Sequence, residues 1–159
     1  MEKITLSLND ALALEAELNG VTNQQTQEVL FKGLLSEKMS LKTKYWLTKL
    51  SDKLASEKKT IDTLREELIK KHGKEGENGA ISILAFEDED RTKPTKEYIS
   101  FVSEVNALLA EEKEFEYNPL PLEDLAEISS EGRFIQLLPV YSFVRSFFCS
   151  FKQYNNALQ

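Results

Sequence analysis

The chain has 159 residues, of which 41% are hydrophobic and 30% charged, and its formal net charge is −7. This length suits one domain with a core of its own, and six glycines with four prolines are too few for a collagen-like or low-complexity chain. Cys149 is the single cysteine, which excludes an intramolecular disulfide, and beside a single histidine it gives too few soft ligands for a structural zinc site.

The N-terminal part of the chain predicts one strand and two short helices. Apolar and polar residues alternate over Lys3–Leu8, which predicts a strand. Asn9 is a candidate N-cap for a helix over Asp10–Leu18, which the following Asn-Gly pair ends. A second helix is predicted over Thr26–Lys38. Its apolar face is formed by Val29, Leu30, Leu34 and Leu35.

A long helix over Ser40–His72 is the dominant predicted element. Ser40 is a candidate N-cap, and Gly73 stands where a C-terminal cap is expected. Such a helix would be roughly 50 Å long, so it needs a partner packed along it. Its apolar residues recur at three-four spacing, at Leu47, Leu50, Leu54, Ile61, Leu64 and Leu68.

The partner is predicted further along the chain. After a glycine-bearing loop, Ile81–Phe86 reads as a strand that pairs with Lys3–Leu8 in a minor two-stranded ribbon. Thr95 is a candidate N-cap for a helix over Lys96–Glu114. We expect this helix to pack antiparallel on the long one, forming a helical hairpin.

The C-terminal part is extended over Phe115–Pro121 and then predicts a short acidic helix over Leu122–Ile128. Residues 132–159 are rich in aromatic side chains and predict an aromatic helix. Three interpretations remain open: a final core helix, a segment that docks on another protein, or an interfacial helix on a membrane surface. The residues we expect to bind a partner are Phe134, Leu138, Tyr141, Phe147, Phe148 and Phe151.

The predicted fold is therefore mainly α, a long antiparallel helical hairpin with short N-terminal helices, a minor β ribbon and a C-terminal aromatic helix. We divide it into a helical domain, residues 1–131, and an aromatic segment, residues 132–159. No apolar run approaches the roughly 18 residues needed to cross a bilayer, so we expect no transmembrane segment. The N-terminal sequence lacks a basic start followed by an apolar run, so we expect no secretory signal.

No residue pattern predicts catalysis, a metal site or a cofactor. His72 is interpreted as a capping or surface histidine, because no orienting partner is evident nearby in the sequence. Cys149 lies among phenylalanines and is interpreted as a buried or interface thiol. The Glu-x-x-His element of di-iron helical bundles is missing. The sequence thus favours a protein that is not an enzyme and has no small-molecule substrate.

Charge is unevenly distributed. Residues 32–74 hold 12 basic and 6 acidic residues, whereas residues 87–131 hold 14 acidic and 4 basic ones. We expect a basic helix to lie against an acidic one, and the overall acidity argues against direct nucleic-acid binding. Alternatively, the acidic stretch is a surface that binds a basic partner. Its proposed contact residues are Glu111, Glu112, Glu114 and Glu116.

Taken in order, several segments resemble a group of small phage-encoded helical proteins, the DUF1617 group. They are KITLSLNDALALEAELNG, KYWLTKLSDKLASEKKTIDTLREELIKKHG with its glycine loop, and FVSEVNALLAEEKEFEYNPLPLEDL, within residues 1–131. The resemblance implies a bacteriophage origin and transfers no active site. We therefore expect a phage structural or assembly protein in the host cytoplasm or virion, which binds other phage proteins or itself. The alternative is an acidic phage inhibitor of a host protein such as a defence nuclease.

Overall fold

The computed structural model describes residues 1–76, 78–88 and 91–120, which form three α-helices, six short strands and one 3-10 turn. The helices are α1 (Leu8–Asn19), α2 (Leu41–His72) and α3 (Lys96–Ala110). The strands are β1 (Glu2–Ser7), β2 (Gly20–Thr22), β3 (Val29–Lys32), β4 (Lys74–Glu75), β5 (Ile81–Ser82) and β6 (Glu112–Tyr117). The 3-10 turn covers Leu34–Ser36.

The predicted long helix is confirmed as α2, 32 residues with the expected caps at both ends. The Ser40 side chain accepts a hydrogen bond from the Thr43 backbone N–H, which satisfies one of the free donors of the first turn. At the other end the Gly73 N–H donates to the Ile69 carbonyl at 2.7 Å. At 1.5 Å per residue the helix is about 48 Å long.

The strands form three separate two-stranded antiparallel sheets: β1 with β6, β2 with β3, and β4 with β5. Our predicted ribbon between Lys3–Leu8 and Ile81–Phe86 is therefore wrong. The true partner of β1 is β6, and Ile4 lies opposite Phe115 in the register. An aromatic side chain opposite a β-branched one is a favourable cross-strand pair, and the Phe115 side chain is buried.

The core lies between α1, the first two-thirds of α2 and the inner face of the β1–β6 sheet. Leu14, Leu18, Leu47 and Leu54 are at most 1% exposed there. Two polar contacts join α1 to α2 at the edge of this core. The Asn19 amide donates to Ser51 Oγ at 2.9 Å, and Lys58 Nζ lies 3.0 Å from Glu15 Oε2. Ile61 is the last buried residue of α2.

The predicted helix over Thr26–Lys38 is wrong. The Asn23 carboxamide oxygen accepts hydrogen bonds from the N–H groups of Gln25 and Thr26, which closes a turn instead of a helix. Gln27 has a φ of 57°, a left-handed conformation that no α-helix contains. The chain then returns as β3 against β2, and Leu34 in the 3-10 turn enters the core.

The predicted mainly α fold class is therefore wrong, because the described residues combine three helices with three small sheets. One short helix stands at the N-terminal end instead of two, and the described residues carry three small sheets instead of one. The predicted helix over Lys96–Glu114 ends at Ala110, because the chain continues as β6. The predicted acidic helix over Leu122–Ile128 and the C-terminal aromatic helix lie outside the described residues.

Candidate interaction site between two helices

Helix α3 runs antiparallel along the C-terminal half of α2. Thr95 caps its start by accepting a hydrogen bond from the Tyr98 N–H at 3.1 Å, as the sequence predicts. The Thr95 hydroxyl in turn donates to the Leu84 carbonyl, which fixes the helix start to the preceding loop. Lys71 near the end of α2 contacts Glu104 in the middle of α3, whereas Lys113, just after α3, contacts Glu57 earlier in α2. These contacts give the two helices opposite directions.

An apolar groove of about 400 Å³ lies between these two helices. Leu64 and Leu68 line it from α2, and Ala107 and Leu108 line it from α3. The side chain of Leu64 is 37% exposed, although the three-four spacing of α2 places it on the same face as the core leucines. The groove thus continues the apolar face of α2 past the point where the core ends.

Helix α3 is poorly covered within the described part of the chain. None of its 15 residues is fully buried there, and Ile99 is 53% exposed. Its sequence is nonetheless apolar enough for a core helix. An amphipathic helix whose apolar face is only partly covered is a candidate contact surface. Its other large apolar or aromatic residues are partly buried: Tyr98, Phe101, Val102, Val105, Leu108 and Leu109.

A cluster of charges closes one side of the groove. Glu104 accepts hydrogen bonds from Lys71 Nζ at 2.8 Å and lies 2.8 Å from His72 Nε2. The hydrogen bond from Lys71 and then that from His72 hold the pKa of Glu104 below its ordinary value. Our interpretation of His72 missed this carboxylate, because Glu104 is 32 residues away in the sequence. The cluster ties the end of α2 to the middle of α3.

The predicted acidic surface takes a definite form on β6. Glu112, Glu114 and Glu116 alternate along the strand, so their side chains project from the same face, about 7 Å apart along the chain. Lys3 on β1 lies 2.6 Å from Glu114, and this hydrogen bond raises the pKa of Lys3. Glu111 is separate from this row. It ends α3, and its carbonyl accepts a hydrogen bond from the Leu8 N–H.

A second groove of about 400 Å³ lies between β6 and α2, and its polar lining mixes both signs of charge. Lys113 contacts Glu57 at 2.5 Å, and Lys53 Nζ donates to the Glu116 carbonyl at 3.0 Å. These contacts fasten β6 to α2. Because the basic side chains are already engaged, we interpret this groove as part of the scaffold.

The six aromatic and apolar residues that we expect to bind a partner lie outside the described residues. Within residues 1–76, 78–88 and 91–120, no helix combines the length and apolarity needed to span a membrane. The same residues contain no group of three or more histidine, cysteine or carboxylate side chains arranged to hold a metal ion. No family model, curated protein or solved structure matches the chain.

Proposed function

We propose that the protein is a non-enzymatic bacteriophage structural or assembly protein that works through protein–protein contacts. Support comes from the incomplete burial of α3, an amphipathic helix with no fully buried residue in the described part of the chain and with Ile99 53% exposed. Apolar surface of this kind is stabilised by association, since burial removes it from water. The phage origin rests on the sequence resemblance. The partners are other phage proteins or further copies of the chain, in the host cytoplasm or the virion.

The aromatic C-terminal segment supplies the contact residues in this proposal. Buried aromatic side chains dominate many protein interfaces, and truncating one such anchor costs about 2 kcal/mol or more of binding free energy. Three basic residues and no acidic one follow Glu131 in the sequence, so the segment also complements an acidic surface. The proposed contact residues are Phe134, Leu138, Tyr141, Phe147, Phe148 and Phe151.

Light scattering after size-exclusion chromatography, with a pull-down from infected cells, tests the proposal. The variant replaces Phe147, Phe148 and Phe151 by serine. We expect the wild-type chain to form oligomers or to retain a phage structural protein, and the variant to do neither. The control replaces Val29 and Leu30, two exposed apolar residues of β3, by serine and should behave as wild type. A wild-type chain that stays monomeric and retains the same proteins as the variant contradicts the proposal.

The row of glutamates on β6 favours a second candidate, an acidic phage inhibitor that binds a host protein such as a defence nuclease. A strand that presents Glu112, Glu114 and Glu116 on one face offers regularly spaced carboxylates to a basic partner. Binding should then weaken as salt rises. Exchanging Glu112 and Glu116 for lysine should abolish it, whereas Glu97→Lys on exposed α3 should not. Binding that is insensitive to both salt and the double exchange contradicts this candidate.

A further inference from the structure

We infer that the groove between α2 and α3 binds residues 133–138 of the same chain. This contact inside the molecule goes beyond the proposed function, because it is expected whichever protein the partner is. It assigns Phe134 and Leu138 to the chain's own groove. Of the six contact residues proposed above, it leaves Tyr141, Phe147, Phe148 and Phe151 for contacts with other proteins.

The groove has the size and lining for a compact apolar group. Its volume of about 400 Å³ is within the roughly 300–1,000 Å³ of protein sites that take such groups. Its walls are Leu64, Leu68, Ala107 and Leu108, and most of its accessible lining is apolar. A short segment that carries several large apolar side chains suits this shape.

The chain is long enough to reach the groove. Lys53 contacts the Glu116 carbonyl, which places the end of β6 beside the middle of α2. Leu68 in the groove stands 15 residues after Lys53 in the same helix, a distance of about 22 Å. The 14 residues from Leu120 to Phe134 span up to about 46 Å when extended. The connection therefore covers the distance with length to spare.

Charge and apolar character also match. The segment reads Arg133, Phe134, Ile135, Gln136, Leu137, Leu138. Four of these six residues are apolar, as the walls of the groove are, and Arg133 is basic. Pro139 follows directly after the segment. The edge of the groove carries Glu67, Lys71 and Glu104. Because Glu104 already bonds Lys71 and His72, Glu67 is the carboxylate that complements the guanidinium of Arg133.

The same chain is a more effective source of this segment than a second copy. A tether of this length gives an effective concentration in the millimolar range, far above ordinary solution concentrations of the protein. Binding within one molecule therefore precedes exchange between copies. A second copy that supplies the segment is the competing outcome of the experiment below.

Cross-linking tests the contact in the full-length chain. Cys149 is changed to serine, and one new cysteine replaces Gln136 while a second replaces Ala107 in the groove. With a short bis-maleimide we expect a cross-link within a monomer, identified by intact mass and peptide mapping. The matched control places the second cysteine at Gln25 in the exposed β2–β3 turn and should give at least fivefold less product. Equal yields at the two positions, or a product that is mainly a cross-linked dimer, overturn the inference.

Hydrogen exchange gives a second measurement that does not depend on the new cysteines. Replacing Phe134 and Leu138 by serine should accelerate exchange of the α3 amides at least tenfold, while α1 keeps its protection as a sign of an intact fold. Replacing Phe147 and Phe151 by serine should leave α3 unchanged. Unchanged α3 exchange in the first variant, or equal acceleration in both, contradicts the inference. The proposed function is tested separately by the second variant. It is contradicted if replacing Phe147 and Phe151 leaves partner binding unchanged.

Discussion

Replacement of Gly33 by alanine is expected to cause a large loss of stability. A Cβ at Gly33 would lie 2.3 Å from both the Asn19 carbonyl carbon and the Gly20 nitrogen, and 2.4 Å from the Leu18 carbonyl oxygen. All three are backbone atoms, so no side chain can rotate away. Favourable carbon contacts begin at about 3.5 Å, so the segments must separate by roughly 1 Å.

The size of the loss in unfolding free energy follows from the contacts that this separation disturbs. Overpacking alone typically costs about 1–3 kcal/mol. The displaced end of α1 also carries the buried Leu18 side chain and the hydrogen bond from Asn19 to Ser51, which is worth about 1 kcal/mol. We therefore expect Gly33→Ala to lower the free energy of unfolding by about 3 kcal/mol.

Urea unfolding followed by circular dichroism at 222 nm measures the effect. Gly76→Ala is the matched control, because a Cβ there meets only the Asn78 carboxamide oxygen at 3.4 Å and the Ala80 carbonyl oxygen at 3.5 Å. We expect the control to stay within about 0.5 kcal/mol of wild type. Equal stability of the two variants would refute the close approach of the chain at Gly33 to the end of α1.

Three further predictions concern the core and the titrating groups. Leu54→Ala should lower the free energy of unfolding, measured in urea, by about 2–5 kcal/mol, because Leu54 is 1% exposed. Leu41→Ala, at an exposed site, should lower it by less than about 1 kcal/mol. Similar losses in the two variants would contradict the assigned core. Glu104 has a lowered pKa, so its stabilisation is present above its unfolded pKa of about 4.3 and is lost as the pH falls through the lower folded value. Glu104→Gln should therefore lower the urea midpoint at pH 7 and leave it unchanged at about pH 2; an equal loss at both pH values would contradict the cluster. Burial and then the hydrogen bond to Glu2 raise the pKa of Tyr117 to about 12. Absorbance at 295 nm should show one tyrosine titrating there, lost in Tyr117→Phe, and the associated stability should disappear as the pH rises from about 10 through 12.

The helices were predictable where local chemistry decides them. Ser40 and Thr95 cap α2 and α3 through their own hydroxyl groups, three residues from the amide that each one binds. Such contacts depend on short stretches of sequence, so they can be read without knowing the fold. The same holds for Gly73, which ends α2 where the apolar repeat stops.

The strands were predicted less well, because their partners are distant in the sequence. The β6 sequence EKEFEY alternates as a strand does, yet the predicted helix over Lys96–Glu114 covers its first half. Its pairing with β1 bridges more than 100 residues, which no local pattern encodes. In β3, Val29 and Leu30 fit one face of a helix and also a short strand, and the turn at Asn23 decides between them.

The candidate site was predicted only in part. The acidic character of residues 111–116 was evident, but the alignment of three glutamates required knowing that the segment is a strand. The predicted pairing of two helices implies that α2 and α3 lie side by side. The groove left between their apolar side chains cannot be read from the sequence. Proximity of His72 to Glu104 arises from helix packing, which joins residues with no local relation.

The pairing of β1 with β6 has a consequence for synthesis of the protein. The first strand leaves the ribosome early, yet its hydrogen-bonding partner is made more than 100 residues later. Until then Ile4 and Leu6 have no opposite strand, and closing so large a loop is slow compared with forming α1 or α2. A nascent chain arrested before Phe115 should therefore resist proteolysis poorly, and protection should appear abruptly once the whole of β6 has emerged.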